Sequence, residues 1–538
     1  MTNTNTQSSR VVARLLPVMA AVLMFSAAAH AAAPGITGPT FNLTAQAASI
    51  SQPDGQAVYS WGYGCNGSPT GFAPAAMSGA TCPTMQVPGP TLIVTEGQTV
   101  TVTLTNGLPT SAGNTSILFP GFQVNSSGGV AGLLTQEAQH AGTVTYTFTA
   151  GSPGTRAYYS GTQSDLQVEM GLYGAIIVLP KTIAGACTTG AANGLLKFAG
   201  GNGAAESHWG ESDFRLAPAA YDNARTCYDR EYLFQFSEMD PNIHNQALAQ
   251  VTAAGNCTAG TPSCSLEVPT EPYHPAYFMI NGRSMPDDMD SNYAFQYPHQ
   301  PYNGNPHMHP GEQVLLRIIG QGRWQHPFHE HGNHVRILGR DGNLILSQSD
   351  PNSLAGPLLF TTTTTPGLAM DGIFYWTGRG LNWDAYGHNP ASAAASTTPV
   401  HSTCVPDANG YNTGVAAQTS INYYEWCQDH NKPLQAAPFG DVAAGGPVTL
   451  PDPNLFTNGS WFGGSPYLGP DATARAVGAT GTTPPSGTIA NSPTGEAGFA
   501  FMWHSHNERE ITTNNIFPGG MMMMMLVDSR EFVINESN

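Results

Sequence analysis

The sequence predicts an all-β fold: tandem β-sandwiches interrupted by one long, loop-rich insertion. Three observations predict it. Val100, Val102 and Leu104 alternate with Thr99, Thr101 and Thr103, and Val144, Tyr146 and Phe148 alternate with Thr143, Thr145 and Thr147. Such a period of two is the mark of half-buried strands. Pro88-Gly89-Pro90, Asn106-Gly107 and Pro153-Gly154 punctuate these runs as turns. No amphipathic helical run of comparable strength appears, and many short strands divided by turn signals make a sandwich.

Taken in order, the chain opens with Arg10 and Arg14 ahead of an apolar run, Leu15 to Ala29, that ends in Ala29-His30-Ala31. Residues 1–31 therefore read as a secretory signal peptide, and the protein is expected to be exported, periplasmic or extracellular. Residues 34–181 form the first sandwich, closing on Gly171-Leu172-Tyr173-Gly174-Ala175-Ile176-Ile177-Val178. A Gly/Ala-rich linker spans 182–227. The second sandwich takes 228–377, including Tyr232–Asp240, Phe278–Pro286 and Gly311–Ile319, and resumes over 498–530. Between these parts, residues 378–497 have weak periodicity and are rich in Gly, Ala, Ser, Thr, Pro and Asn. They read as an insertion that is partly ordered by a disulfide. No later stretch is long and apolar enough for a membrane span.

Composition narrows the partners. Charged residues make up 10% of the 538 residues, against about a quarter in an ordinary globular chain. With 36 acidic and 18 basic residues the formal net charge is −18, which argues against nucleic acid and anionic membrane. Eight cysteines fall as sequence neighbours: Cys65 and Cys82, Cys187 and Cys227, Cys257 and Cys264, Cys404 and Cys427. Eight cysteines allow about 105 pairings, and four local staples are the expectation. None sits in a CxxC or CxxCH pattern, so they are not read as metal or haem ligands.

The histidines carry the chemistry. Of 17, nine lie in residues 299–334 and 504–506. His329 and His331 are two apart, as are His504 and His506, so in extended strands each pair faces one way. Two such strands side by side aim four imidazoles at one space, and neutral imidazole suits a transition metal. His299 and His307-Met308-His309 lie in a Pro/Gly/Asn-rich loop and are weaker candidates. Met521 heads a run of five methionines and reads as flexible packing more than as a thioether ligand. Glu508 and Glu510, beside the second cluster, are weak candidates for proton donor or extra ligand, against the plainer reading of a solvated polar turn.

These motifs resemble the multicopper oxidases, whose domains are cupredoxin-like Greek-key sandwiches. His326-Pro327-Phe328-His329-Glu330-His331-Gly332 matches the family's HPxHxHG copper motif. Val87-Pro88-Gly89-Pro90-Thr91-Leu92-Ile93-Val94 with Glu96-Gly97, and Phe278-Met279-Ile280-Asn281-Gly282-Arg283, are similar to its domain starts. The resemblance implies copper: a type 1 site of two His and a Cys, and a three-copper cluster of eight His. Here Ser505 stands at the Cys position and Glu510 at the second type 1 His. Leu118-Phe119-Pro120-Gly121 and Tyr159-Ser160-Gly161 stand where the first domain's His motifs belong. The resemblance thus leaves His329, His331, His504 and His506 as surviving cluster ligands, with His326 and Met521 less certain. It implies that His331 and His504 share one copper, completed by His329 or His506.

The sequence accordingly supports a copper-dependent oxidoreductase with a reduced, mono- or binuclear His site, acting on a small molecule or metal ion. Laccase-type four-electron reduction of oxygen is not expected without the thiolate relay. A non-catalytic copper-binding or tolerance protein and an extracellular structural cupredoxin are the alternatives. In two-domain relatives the cluster lies between subunits, so the resemblance also leaves room for a homo-oligomer.

Overall fold

The computed structural model describes residues 33–185, 187, 213–377, 404–413, 427, 500–528 and 534, and the backbone of 464–468 and 497–499. The expected signal peptide, much of the linker and most of the 378–497 insertion lie outside the described residues.

Strand alternation becomes two cupredoxin-like sandwiches. The first pairs two five-stranded sheets. One orders Gly154–Tyr159, Tyr173–Leu179, Leu92–Thr95, Gly35–Thr37 and Phe72–Ala73. The other orders Ala57–Cys65, Thr40–Ser51, Thr99–Asn106, Thr143–Thr149 and Asn125–Ser127. In the second sheet Val102 lies across from Tyr146 and Leu104 from Val144, with threonine opposite threonine on the other face. The valines, Leu104, Tyr146 and Phe148 are buried against Phe41, Trp61 and Phe119. The threonines stay half-buried or exposed.

The second sandwich is built the same way. One of its sheets runs Tyr277–Ile280, Arg230–Met239, Gln313–Gly320, Ala369–Tyr375, Val335–Arg340 and Asn343–Leu344, with Leu358–Leu359 also on Val335–Arg340. The facing sheet runs His307–Met308, Met522–Asp528, Ala497–Ser505, His326–Glu330 and Thr361–Thr364, with Gly464–Leu468 also on Ala497–Ser505. Arg230–Met239 pairs in parallel with Gln313–Gly320 and antiparallel with Tyr277–Ile280, the mixed pattern that crossover connections produce. Phe328, Trp503, Phe234 and Phe374 fill the space between these sheets, with Trp503 lying edge-on 4.9 Å from Phe374.

One element was not expected. Pro241–Ala254 is an α-helix that buries Ile243, His244 and Ala247. Its start signal is local: the Asp240 side chain accepts from Asn242 N–H, and Pro241 occupies the first turn. The helix lays Ile243 and Ala247 on the core of the first sandwich. The four disulfides close between the expected neighbours. No helix among the described residues is long and apolar enough to cross a membrane.

A buried polar knot joins the two sandwiches. Asp371 Oδ1 accepts from Thr155 Oγ1 at 2.6 Å, and its Oδ2 accepts from Thr155 N at 3.0 Å and Tyr221 OH at 2.7 Å. Arg317 reaches the same carboxylate at 3.5 Å and holds Glu231 at 2.8 Å. Arg317 and Asp371 are each 1% exposed. A paired charge of this kind is tolerated only while its partners remain. Asp371→Ala is therefore expected to cost about 3 kcal/mol or more in chemical denaturation; a loss under about 1 kcal/mol would show that Asp371 is not the tie between the sandwiches.

Candidate metal centre

The site forms where two antiparallel strands meet. His326–Glu330 pairs with Ala497–Ser505 so that His329 sits directly across from His504, Phe328 from Ser505 and Glu330 from Trp503. Alternation does the rest. Phe328, Glu330, Trp503 and Ser505 point into the sandwich, while His329 and His504 point to its outer face. The chain leaves the first strand through His331 and Gly332. Gly332 has φ +100°, and a Cβ there would meet the Phe501 ring at 3.0 Å, so this turn requires glycine. It returns His331 to the same face.

Four imidazoles gather there. The His329 ring centre is 4.8 Å from His331, 5.5 Å from His504 and 4.9 Å from His506. His331 and His504 are 5.2 Å apart, and their Nε2 atoms approach to 3.3 Å. His504 Nδ1 lies 2.7 Å from the Ser505 carbonyl, which can only accept, so Nδ1 carries the proton and Nε2 the lone pair. Burial, and then the neighbouring imidazoles, push the His329 pKa down to about 4. Burial, with His506 beside it, also lowers that of His504, against the Ser505 bond. Both are therefore neutral at pH 7, the form that ligates a metal. His506 is about half exposed and lies 3.5 Å from the exposed Glu508 carboxylate.

The pocket's fit to a metal rests on this donor set. Two imidazole nitrogens on one tetrahedral ion at a bond length of about 2.0 Å lie about 3.3 Å apart, and His331 and His504 present that separation. Among the described residues, no three His, Cys, Asp or Glu side chains converge closely enough to hold an ion as they stand. The chain thus presets a pair, with His329 and His506 flanking it as the third donor. Chemically the residues fit a borderline transition metal such as copper.

Behind the pocket, the structure places His326 and Met521 differently from the expected ligand set. His326 faces inward and is fully buried, with Nδ1 2.9 Å from Glu510 and Nε2 2.9 Å from Glu238. Both ring nitrogens are committed to carboxylates. Burial opposes its charge, but the bonds to Glu238 and Glu510 outweigh that and raise its pKa to about 9. It is an imidazolium at neutral pH, and a protonated ring offers no lone pair to a metal. Met521 is fully buried in the apolar core with Phe328 and Trp503, as packing rather than as a member of the pocket.

Glu510 is likewise no solvated turn residue. It is fully buried, accepts from Ser505 Oγ and Asn507 Nδ2, and faces His326. Its backbone turn is tight: a Cβ on Gly520, whose φ is +65°, would strike the Glu510 carbonyl at 2.1 Å. The position expected for a thiolate relay is therefore a closed chain of hydrogen bonds, Ser505–Glu510–His326–Glu238. Glu238 continues it, accepting from the Arg323 and Trp324 amides and from Tyr273 OH, which bonds Glu169 of the first sandwich at 2.7 Å. The sequence singled out His326, Ser505 and Glu510 but gave no sign of Glu238.

The other weak candidates also resolve. His307 and His309 belong to a buried strand end rather than a loop. His307 Nδ1 meets Asp528 at 2.6 Å, and His309 Nδ1 lies 3.1 Å from the Asp528 carbonyl. His299 Nδ1 bonds the Met85 carbonyl at 2.8 Å. In the first sandwich, Leu118 and Tyr159, where the resemblance places His motifs, pair through their backbones.

A family model described as "Multicopper oxidase" matches residues 78–183. Those residues are a multicopper oxidase domain. The match covers most of the first sandwich. No curated protein matches the chain. Among solved structures, a multicopper oxidase, mgLAC, is 14% identical over 92% of this chain and 88% of its own, with a TM-score of 0.42. A blue copper oxidase from Nitrosomonas europaea is 15% identical over 90% and 85%, also at 0.42. A copper nitrite reductase from the same organism is 18% identical over 63% and 85%, at 0.36.

The pKa of His326 sets a pH signature. Its folded value of about 9 lies above the ordinary 6.5, so the clamp's contribution is fully present below about pH 6.5 and disappears as pH rises through 9. The shift corresponds to about 3 kcal/mol. Unfolding free energy is expected to fall by that order between pH 7 and pH 10, and His326→Gln is expected to flatten the fall. Equal slopes in both proteins would show that His326 is not the titrating group.

Proposed function

We propose that this chain is an exported copper protein of multicopper-oxidase type whose single His pocket serves a copper-dependent oxidoreductase. The observation that carries the proposal is the approach of His331 Nε2 and His504 Nε2 to 3.3 Å on the outer face of the second sandwich. His329 or His506 would complete the set. In this reading the first sandwich, residues 34–181, supports the fold without copper ligands, and residues 228–377 with 498–530 carry the site. Export is supported by the basic-then-apolar start of the sequence and by four disulfides, which persist in oxidising compartments.

Bound copper supplies one-electron redox chemistry at the pocket. The chain's own residues determine its limits. Ser505 offers a hydroxyl where a thiolate would pass electrons, and that hydroxyl is engaged by Glu510. His326 holds a proton rather than a metal. The pocket is therefore open to a small molecule or metal ion directly, through the exposed side at His506, with Glu508 as the nearest carboxylate for proton transfer.

A second reading, non-catalytic copper binding for storage or tolerance, is favoured by the closed relay position: a pocket with no built electron path suits holding copper as well as turning it over.

Metal analysis with EPR on the wild type and His331→Ala tests the site. One copper per chain with no thiolate absorption band, lost in the variant, is the expected result; three or four coppers, or an intense blue band, would refute the single pocket. Oxygen uptake with phenolic, cuprous or manganous substrates then separates the two readings, since the non-catalytic one predicts none.

A further inference from the structure

The residue that faces His329 from the other side is assigned by neither sequence pattern nor family motif. Thr361 lies directly opposite His329 in the antiparallel pairing of His326–Glu330 with Thr361–Thr364. Its Oγ1 is 2.7 Å from His329 Nδ1. His329 is only 3% exposed, so water does not stand in for that bond. A hydroxyl can accept from Nδ1–H, and a proton held there leaves Nε2 with the lone pair a metal takes. The Phe360 ring stands edge-on 5.7 Å from His329 and 5.1 Å from His334, which limits how far the imidazole can turn. The same arrangement recurs at His504, whose Nδ1 is held by the Ser505 carbonyl while Nε2 meets His331.

We propose that Thr361 is a positioning residue of the metal pocket: by accepting from Nδ1–H it fixes the tautomer of His329 and turns its Nε2 toward the point that His331 and His504 share. This selects His329 over His506 as the third donor. It rests on the reading of the pocket as a copper site. Metal-bound histidines are held through their second nitrogen, and loss of that partner costs about 10- to 100-fold in metal affinity. A hydroxyl opposite a strand histidine gives that hold without introducing a charge beside the site.

The experiment is a copper titration of the full chain against a competing chelator, with EPR of the loaded protein, for wild type, Thr361→Val and Thr361→Ser. Thr361→Val keeps shape and β-propensity and removes only the acceptor. Copper affinity is expected to fall about 10- to 100-fold in Thr361→Val and to return to within about threefold of wild type in Thr361→Ser, with one fewer nitrogen coupled to copper in the valine variant. Equal affinity and unchanged coupling in Thr361→Val would overturn the proposal. Nitrogen-15 shifts of labelled histidine in metal-free wild type give a test independent of any variant's folding: Nδ1–H on His329 supports the assignment and Nε2–H overturns it. A wild type that takes up no copper defeats the pocket reading itself, while the nitrogen-15 result still decides the tautomer.

Discussion

An imidazolium clamped between two buried carboxylates underlies this site. Glu238 comes from one sheet of the second sandwich, His326 from the other, and Glu510 from the short 3-10 helix Glu508–Ile511 that follows the second histidine pair. All three are essentially inaccessible to water. Buried charges are costly alone and tolerable only when paired with good geometry, so each member holds the others in place. Through Tyr273 the clamp reaches Glu169 of the first sandwich. Through Ser505 it reaches the strand that carries His504 and leads into His506. The back wall of the pocket is thus fixed by a proton and two carboxylates where the family's motif implies a metal.

Strand alternation divides His326–Glu330 into two environments. His326 and Glu330 face inward and His329 faces out, within one five-residue strand. Glu330, fully buried with Thr362 as its hydrogen-bond donor, has its pKa raised by burial to about 8 and is a neutral acid in the core. The outer residues see other imidazoles and are neutral bases. One short strand therefore carries a cation, an uncharged acid and a metal-type base, and the side of the sheet decides which is which.

Much of this was legible because it is local. Period-two runs mark strands wherever one face is buried, so Thr99–Asn106 and Thr143–Thr149 could be read directly. Two HxH pairs imply two strand faces whatever the topology. What stayed hidden depends on distant partners. Glu510 lies in Asn507-Glu508-Arg509-Glu510, which reads as a polar turn until a strand about 180 residues earlier brings His326 beneath it. Thr361 is one of five consecutive threonines, and only the register with His329 distinguishes it. His307 looked like part of a loop because its neighbours are Pro, Gly and Asn, yet it pairs with Leu526 in a buried ladder. The Pro241–Ala254 helix was missed for lack of a strong apolar stripe, although its Asp-Pro start was visible.

The central claim is that copper on this chain is held by imidazole nitrogen alone, with the thiolate and methionine positions given over to hydrogen bonding and packing. Copper K-edge X-ray absorption on the copper-loaded full chain tests it most directly. The account predicts a first shell of nitrogen or oxygen scatterers at about 2.0 Å with imidazole outer-shell features. A sulfur scatterer in the first shell at about 2.3 Å would contradict it.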